Sequence, residues 1–327
     1  MAKIAINGFG RIGRSFFRAA FGEAGFDIVA VNDLSDAETL RYLLKYDSVY
    51  GRYEKEINEK EILILAEKDP SNLPWKKLGV DVVVESTGFF TDGDKAKTHL
   101  DAGAKRVVIT APATGDVTTA LIGVNDNLFA GAGPVTSNAS CTTNSVAPVM
   151  QILLDNFGIK KAVMTTVHGY TASQKLVDGP DAKDVRRGRA AAVNIVPSTT
   201  GAAEAVIDAI PELEGKFQAE SIRVPTITGS ISITSALVEK KTSIKEVNEI
   251  FKKAAKDSRW AKVLKVTNDP IVSSDIIGEP YGAIVDLSLT KVLDADFIKV
   301  FSWYDNETGY TATLVEHVRR VAEVIKI

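Results

Sequence analysis

The chain has 327 residues, 45% hydrophobic and 25% charged, with a formal net charge of −3. That length fits about two domains, each with its own core, and the composition is that of an ordinary globular protein. The charge exerts no general pull toward nucleic acid or an anionic membrane, and no apolar run approaches the ~18 residues of a membrane span. One cysteine rules out an internal disulfide and suits a reducing compartment.

Lys3 to Asn7 reads as a buried strand. It runs into Gly8-Phe9-Gly10-Arg11-Ile12-Gly13 and then a helical stretch from Ser15 to Phe21. A second strand, Ile28 to Asn32, is closed by Asp33, 20 residues beyond Gly13. Strand, glycines, helix, strand and acid in this register form a dinucleotide-binding unit. The glycines let backbone N–H groups approach a pyrophosphate, and Asp33 accepts from a ribose 2′-hydroxyl while repelling a 2′-phosphate, which favours NAD over NADP. Ala37 to Leu44 is helical, and Tyr50 to Ile57 with Lys60 to Ala66 suggests a hairpin or short excursion. Strands follow at Val80 to Ser86, Arg106 to Thr110, Leu121 to Val124 and Val135 to Ser137, with a short helix from Asp94 to Leu100. The alternation predicts a mostly parallel, doubly wound sheet with ligands at the C-terminal strand ends, where Thr87, Thr110 and Cys141 fall.

Cys141 is the only cysteine. Val146, Val149, Met150, Leu153, Leu154 and Phe157 recur at helical spacing after it, and Gly158 stops the run, so Cys141 belongs at a helix N-terminus. The partial positive charge there favours thiolate, although a buried structural cysteine remains the competing reading. Lys160 to Val167 is a strand that delivers His168 to a polar loop. His99, in a polar helix, and His317, in the terminal helix, read as surface or helix-face residues. Gly169 to Arg189 is a long basic loop without periodicity. Pro197-Ser198-Thr199-Thr200-Gly201 opens a helix from Ala202 to Ile210, either a plain N-cap or an anion site.

Phe217 to Val224, Ser230 to Glu239, Ala261 to Thr267, Ala283 to Leu289 and Phe297 to Tyr304 alternate with period 2. The helix Ile244 to Lys256 opens with a Ser243/Glu246 capping box. This half is expected to be α+β with a largely antiparallel sheet. Arg223, within a strand, needs an anion or carboxylate partner. Gly309 to Ile327 is an amphipathic helix. The expected domains are 1–139, completed by 309–327, and 140–308.

The whole chain resembles phosphorylating glyceraldehyde-3-phosphate dehydrogenase. The matches are Ile-Asn-Gly-Phe-Gly-Arg-Ile-Gly-Arg (6–14), Val-Asn-Asp-Leu (31–34), Glu-Ser-Thr-Gly (85–88) and Ser-Asn-Ala-Ser-Cys-Thr-Thr-Asn (137–144). They continue with His168, Tyr170-Thr171, Arg186-Arg187, Ser-Thr-Thr-Gly-Ala-Ala (198–203), Arg-Val-Pro-Thr (223–226) and Trp-Tyr-Asp-Asn-Glu-Thr-Gly-Tyr (303–310). The resemblance implies that Cys141 attacks an aldehyde, that His168 deprotonates and orients the adduct, and that a thioester forms and is cleaved by phosphate. It places Gly8, Gly10, Arg11, Ile12, Gly13, Asp33, Lys68, Thr110 and Asn306 at the NAD. It places Thr171 and Arg223 at the substrate phosphate, and Ser140, Thr200 and Gly201 at the attacking phosphate, with Arg187 between and Thr142 among the phosphate contacts. It implies a cytoplasmic homotetramer acting on D-glyceraldehyde 3-phosphate and inorganic phosphate, with no metal, nucleic acid or membrane partner.

The sequence departs from the family pattern in four places. Ser145 stands where a second cysteine is common, and the loop 175–183 differs from the usual Leu-Leu-Asp-Leu-Pro-His-Lys. Ser173 replaces an Asp, and Ile227-Thr228-Gly229 replaces Pro-Asn-Val. An erythrose-4-phosphate dehydrogenase, a catalytically silent NAD-binding protein and an aspartate-semialdehyde dehydrogenase are the competing readings. Tyr170-Thr171 and Gly201 oppose the first. The intact Cys141, His168, Arg187 and Arg223 oppose the second, and the residues around Cys141 oppose the third.

Overall fold

The computed structural model describes residues 1–57, 62–182 and 184–325. The chain divides into two compact units, Met1–Ser140 with Thr311–Ile327, and Cys141–Tyr310.

The first unit is built on a parallel sheet. Its strands lie in the order Leu63–Leu65, Phe26–Asn32, Ala2–Asn7, Val82–Glu85, Arg106–Ile109, Val135–Ser137 and Thr118–Thr119. Val82, Val83 and Val84 are all fully buried, the unbroken apolar run of a strand covered on both faces. Trp75, Val80 and Ala104 pack on one such face with Ala5, Ala30 and Val83. The chain begins in the middle of the sheet, builds outward through Phe26–Asn32, then returns to the other side of Ala2–Asn7 at Val82–Glu85. That reversal leaves a crevice at the strand ends Asn7 and Glu85.

The second unit carries a mostly antiparallel sheet in the order Val196–Ser198, Phe217–Val224, Ile159–Gly169, Ser230–Val238, Phe297–Tyr304, Ala283–Asp286 and Leu264–Thr267. Two neighbouring pairs are parallel, Ile159–Gly169 with Phe217–Val224 and Leu264–Thr267 with Ala283–Asp286. The helix Cys141–Phe157 buries Val146, Val149, Met150 and Leu153. Gly158 ends it in the left-handed region at φ +68°, donating its N–H to the Leu154 carbonyl at 3.0 Å.

Several local expectations are corrected. Leu121 to Val124 is a turn rather than a strand, because the Asn125 side chain accepts from Leu121 N at 2.7 Å and donates to the Thr119 carbonyl at 3.0 Å, closing the chain on itself. The short strand lies just before it, at Thr118–Thr119. The excursion after the second helix is a two-residue hairpin, Tyr46–Asp47 with Gly51–Arg52, and Leu63–Leu65 instead joins the main sheet. Lys60 and Glu61, within the expected strand there, lie outside the described residues, as do Lys183 in the basic loop and the end of the terminal helix beyond residue 325. Ser243 caps its helix by accepting from Glu246 N, but the Glu246 carboxylate accepts from Thr242 Oγ1, so the reciprocal half of the box is absent. Among the described residues no helix is long and apolar enough to cross a membrane.

His99 and His317 are both fully buried, which rules out the surface half of their reading and leaves each on the buried face of its helix. His317 lies on the terminal helix Thr308–Val324, accepts from Thr136 Oγ1 at 2.8 Å and donates from Nδ1 to the Ala120 carbonyl at 3.0 Å. Asn138 Nδ2 donates to Thr313 Oγ1 at 3.2 Å. The last helix is thereby tied into the first unit.

Candidate active site

Cys141 is the first residue of its helix. The turn before it holds Ala139 at φ +51°, a left-handed conformation that a residue with a Cβ seldom adopts. The Ser137 hydroxyl accepts from Ala139 N at 2.9 Å and stabilises that turn. The Thr142 hydroxyl and the backbone amides of Cys141 and Thr142, donors at the helix N-terminus, favour the ionised sulfur. Burial outweighs the charge of Arg223 and these donors and pushes the Cys141 thiol up, so the thiolate expected from the helix start does not prevail and the sulfur is a thiol.

His168 comes from the strand Ile159–Gly169, whose parallel neighbour places Arg223 directly beside it. His168 Nε2 lies 3.4 Å from Cys141 Sγ. Its other nitrogen, Nδ1, is 2.6 Å from the Gly169 carbonyl and 2.7 Å from Arg223 Nη1. These two contacts make opposite demands. A guanidinium only donates, so Arg223 needs Nδ1 as an acceptor, whereas the carbonyl needs Nδ1 to carry the proton. Burial and the Arg223 charge lower the pKa of His168 to about 3, so the ring is neutral at neutral pH.

Tyr304 braces the pair from the end of the strand Phe297–Tyr304, which lies in the same sheet one strand beyond Ser230–Val238. Its hydroxyl lies 3.1 Å from Thr142 Oγ1 and 2.7 Å from Thr166 Oγ1, and its ring meets the His168 ring edge-on at 5.8 Å. Burial, with the neighbouring Cys141, pushes its phenol up, so it serves as a neutral hydroxyl. Thr166 was not singled out from the sequence, and Tyr304 entered only as part of the matched stretch 303–310; an alternating strand offers no signal for which inward hydroxyl reaches the helix that starts at Cys141. Ser145 packs below with its hydroxyl 3.1 Å from Ser232 Oγ.

The Arg223 side chain is half-buried, and burial lowers its pKa. Its partners among the described residues are His168 and the Gly169 carbonyl, neither of them the anion or carboxylate that the sequence led us to expect. Thr171 Oγ1 lies 2.9 Å from Ser173 Oγ, Arg187 donates to the Thr199 carbonyl at 3.3 Å, and the Thr200 hydroxyl accepts from Ala202 N at the start of the helix Ala202–Ala209, with Gly201 at its N-cap. Asn306 Oδ1 accepts from Gly229 N, Thr228 Oγ1 and Ser230 Oγ at 3.0–3.2 Å.

In the first unit the glycine turn fits a dinucleotide. Gly8 has φ +90°, and a Cβ there would lie 2.6 Å from Thr87 N; one at Gly13 would lie 2.1 Å from the Gly8 carbonyl oxygen, whereas one at Gly10 would meet nothing. The turn is closed tightly from behind and open at Gly10. The helix Arg11–Ala20 starts there, with Ile12 in its first turn, without a capping side chain or an acidic residue, leaving its positive end for an anion. Asp33 accepts from Phe9 N at 2.7 Å and Ser35 N at 2.9 Å, and its carboxylate retains acceptor capacity for a hydroxyl. Arg11 pairs with Asp47. Thr110 N donates to the Glu85 carbonyl at 3.0 Å, and Lys68 is exposed. No cluster of metal-ligating side chains occurs among the described residues.

A parallel sheet with a dinucleotide turn, and a helix-start thiol against a neutral imidazole, define a class: nicotinamide-dependent dehydrogenases that use a cysteine. Residues 2–93 match the family model for the glyceraldehyde 3-phosphate dehydrogenase NAD binding domain, and residues 140–306 match that for the C-terminal domain. Glyceraldehyde-3-phosphate dehydrogenase of Clostridium pasteurianum is 47% identical over 339 aligned residues, covering 100% of both chains. Those of Mycobacterium avium and Mycobacterium tuberculosis (strain ATCC 25618 / H37Rv) are 48% and 49% identical, covering 98% of each chain. The chain belongs to the glyceraldehyde-3-phosphate dehydrogenase family.

Proposed function

We propose that this chain oxidises D-glyceraldehyde 3-phosphate with NAD and inorganic phosphate to 1,3-bisphosphoglycerate, as a cytoplasmic homotetramer. The observation that carries the reading is the 3.4 Å approach of Cys141 Sγ to His168 Nε2 at the start of a helix. The first unit is the NAD domain, with the turn Gly8 to Gly13 at the pyrophosphate and Asp33 at the ribose. Lys68 and Thr110 complete the cofactor contacts of this unit.

Cys141 Sγ forms a bond to the aldehyde carbon, and the thiol proton passes to His168 Nε2. The Cys141 N–H and His168 stabilise the adduct oxygen, and His168 returns the proton to it, leaving a hydroxyl and a neutral ring. Bound NAD supplies the hydride acceptor. Oxidation leaves a thioester on Cys141, and His168 takes the proton of the adduct hydroxyl. Phosphate held by Ser140, Thr142, Thr200 and Gly201 attacks the thioester carbon, the C–S bond breaks, and the acyl phosphate leaves.

Arg223 and Thr171 bind the substrate phosphate, and Arg187 lies between the two anion sites. A phosphate that draws Arg223 off His168 removes the conflict at Nδ1. The ring proton then rests on Nδ1 against the Gly169 carbonyl, and Nε2 is free as the base.

The test is NADH absorbance at about 340 nm, a direct signal of hydride transfer. Glyceraldehyde 3-phosphate and NAD are mixed with the protein, with and without phosphate, for wild type and Cys141→Ala. A burst without phosphate, turnover with it and loss of both in the variant are expected. No signal from folded wild type sinks the reading.

A further inference from the structure

Glu85 is the last residue of the strand Val82–Glu85 and is fully buried beside the dinucleotide turn. Four donors converge on its carboxylate. Asn7 Nδ2 donates to Oε2 at 2.6 Å, and His99 Nε2 donates to the same oxygen at 3.0 Å. Thr87 donates both its backbone N–H, at 2.8 Å, and its hydroxyl to Oε1. Trp75 Nε1 donates to His99 Nδ1 at 3.0 Å, which keeps the ring proton on Nε2 and aimed at Glu85. Asn7 is fixed in turn, because its Oδ1 accepts from Asn32 Nδ2 at 2.7 Å. Both oxygens accept and neither donates, the inventory of an ionised carboxylate held by hydrogen bonds rather than by a cation.

The network points at the turn. Thr87, fixed by Glu85, presents the backbone against which Gly8 closes, with room only for a hydrogen. Asn7 immediately precedes Gly8, and Ser86 Oγ donates to the Gly8 carbonyl at 2.6 Å.

We propose that Glu85 is a positioning residue for NAD: its charge sets Thr87 and Asn7, and through them the shape of the turn that receives the pyrophosphate. A neutral amide has no equivalent arrangement here. In Glu85→Gln the new NH₂ must face at least one donor. Turning Asn7 abandons Asn32, and moving the His99 proton to Nδ1 confronts Trp75, so the mismatch is only passed along. The inference rests on the dinucleotide reading of this unit and not on the identity of the aldehyde.

The test titrates the whole protein with NAD by calorimetry, for wild type, E85Q, T87A and T87S. E85Q is expected to raise the NAD dissociation constant at least tenfold and the KM for NAD with it. The kcat at saturating NAD, the KM for glyceraldehyde 3-phosphate and the NAD-free alkylation rate of Cys141 are expected to stay within twofold of wild type. T87A is expected to weaken NAD about threefold or more, and T87S to restore it. A folded E85Q that binds NAD within twofold of wild type overturns the inference. So does a parallel loss of kcat and Cys141 reactivity. If E85Q does not fold, T87A binding as tightly as wild type overturns it. Wild type that binds no NAD is a different result, and defeats the cofactor reading itself.

Discussion

Arg223 Nη1 stands 2.7 Å from His168 Nδ1, the ring nitrogen that faces away from Cys141. A partly buried guanidinium whose protein partners are a ring nitrogen and the Gly169 carbonyl keeps donors available for an anionic ligand. The register between the strands Ile159–Gly169 and Phe217–Val224 sets this juxtaposition, with His168 paired to Arg223.

Replacing Arg223 therefore separates phosphorylated from plain substrates. Arg223→Leu is expected to lower kcat/KM for glyceraldehyde 3-phosphate by roughly 10–10², the scale of a lost charge-assisted hydrogen bond. Unphosphorylated glyceraldehyde should be affected far less. Steady-state kinetics on the two aldehydes decide it, and equal losses on both would place Arg223 outside phosphate recognition.

His168→Asn keeps a polar side chain and removes the base. We expect kcat to fall by roughly 10²–10⁴, the usual contribution of general acid–base catalysis. NAD affinity should be unchanged, because the glycine turn is not altered. A variant that retained wild-type turnover would remove His168 from the chemistry.

The turn gives a steric prediction. Gly13→Ala places a Cβ 2.1 Å from the Gly8 carbonyl oxygen, a backbone atom that cannot move without opening the turn. NAD affinity is expected to drop at least tenfold and the melting temperature to fall. Gly10→Ala, whose Cβ meets nothing in the protein, should fold normally and lose affinity only through contact with the ligand. Calorimetric titration and thermal melts of both variants check this.

Acid should destabilise the fold through two buried histidines. His168 and His317 each have a folded pKa of about 3, lowered chiefly by burial, against about 6.5 in the unfolded chain. The unfolded state therefore binds more protons between these values, and stability falls as pH drops from about 6.5 toward 3. Each residue contributes a slope of about 1.4 kcal/mol per pH unit in that window. Urea denaturation from pH 7 to pH 4 should show it, and His317→Leu should remove about one residue's share. An unchanged slope in that variant would mean that His317 does not titrate between the two states.

Much of this molecule can be read along the chain because its signals are local. The strand, glycines, helix and Asp33 are contiguous, and the apolar spacing after Cys141 with Gly158 behind it places the nucleophile at a helix start that the fold contains. Strand Phe297–Tyr304 appears with the expected bounds for the same reason, an alternating pattern that needs no distant partner to be visible. Residues whose role depends on something far away in sequence were not legible. His99 looked like a surface residue of a polar helix, yet Trp75 and Glu85 enclose it, 24 and 14 positions away. His317 is held by Thr136, 181 positions distant, and Tyr304 reaches Thr142 across 162. Periodicity reports which face of an element is apolar; it carries no record of which polar atom on another element will meet it. Pairing register and packing settle that, and with it the partner of Arg223, the proton of His168 and the buried carboxylate beside the cofactor turn.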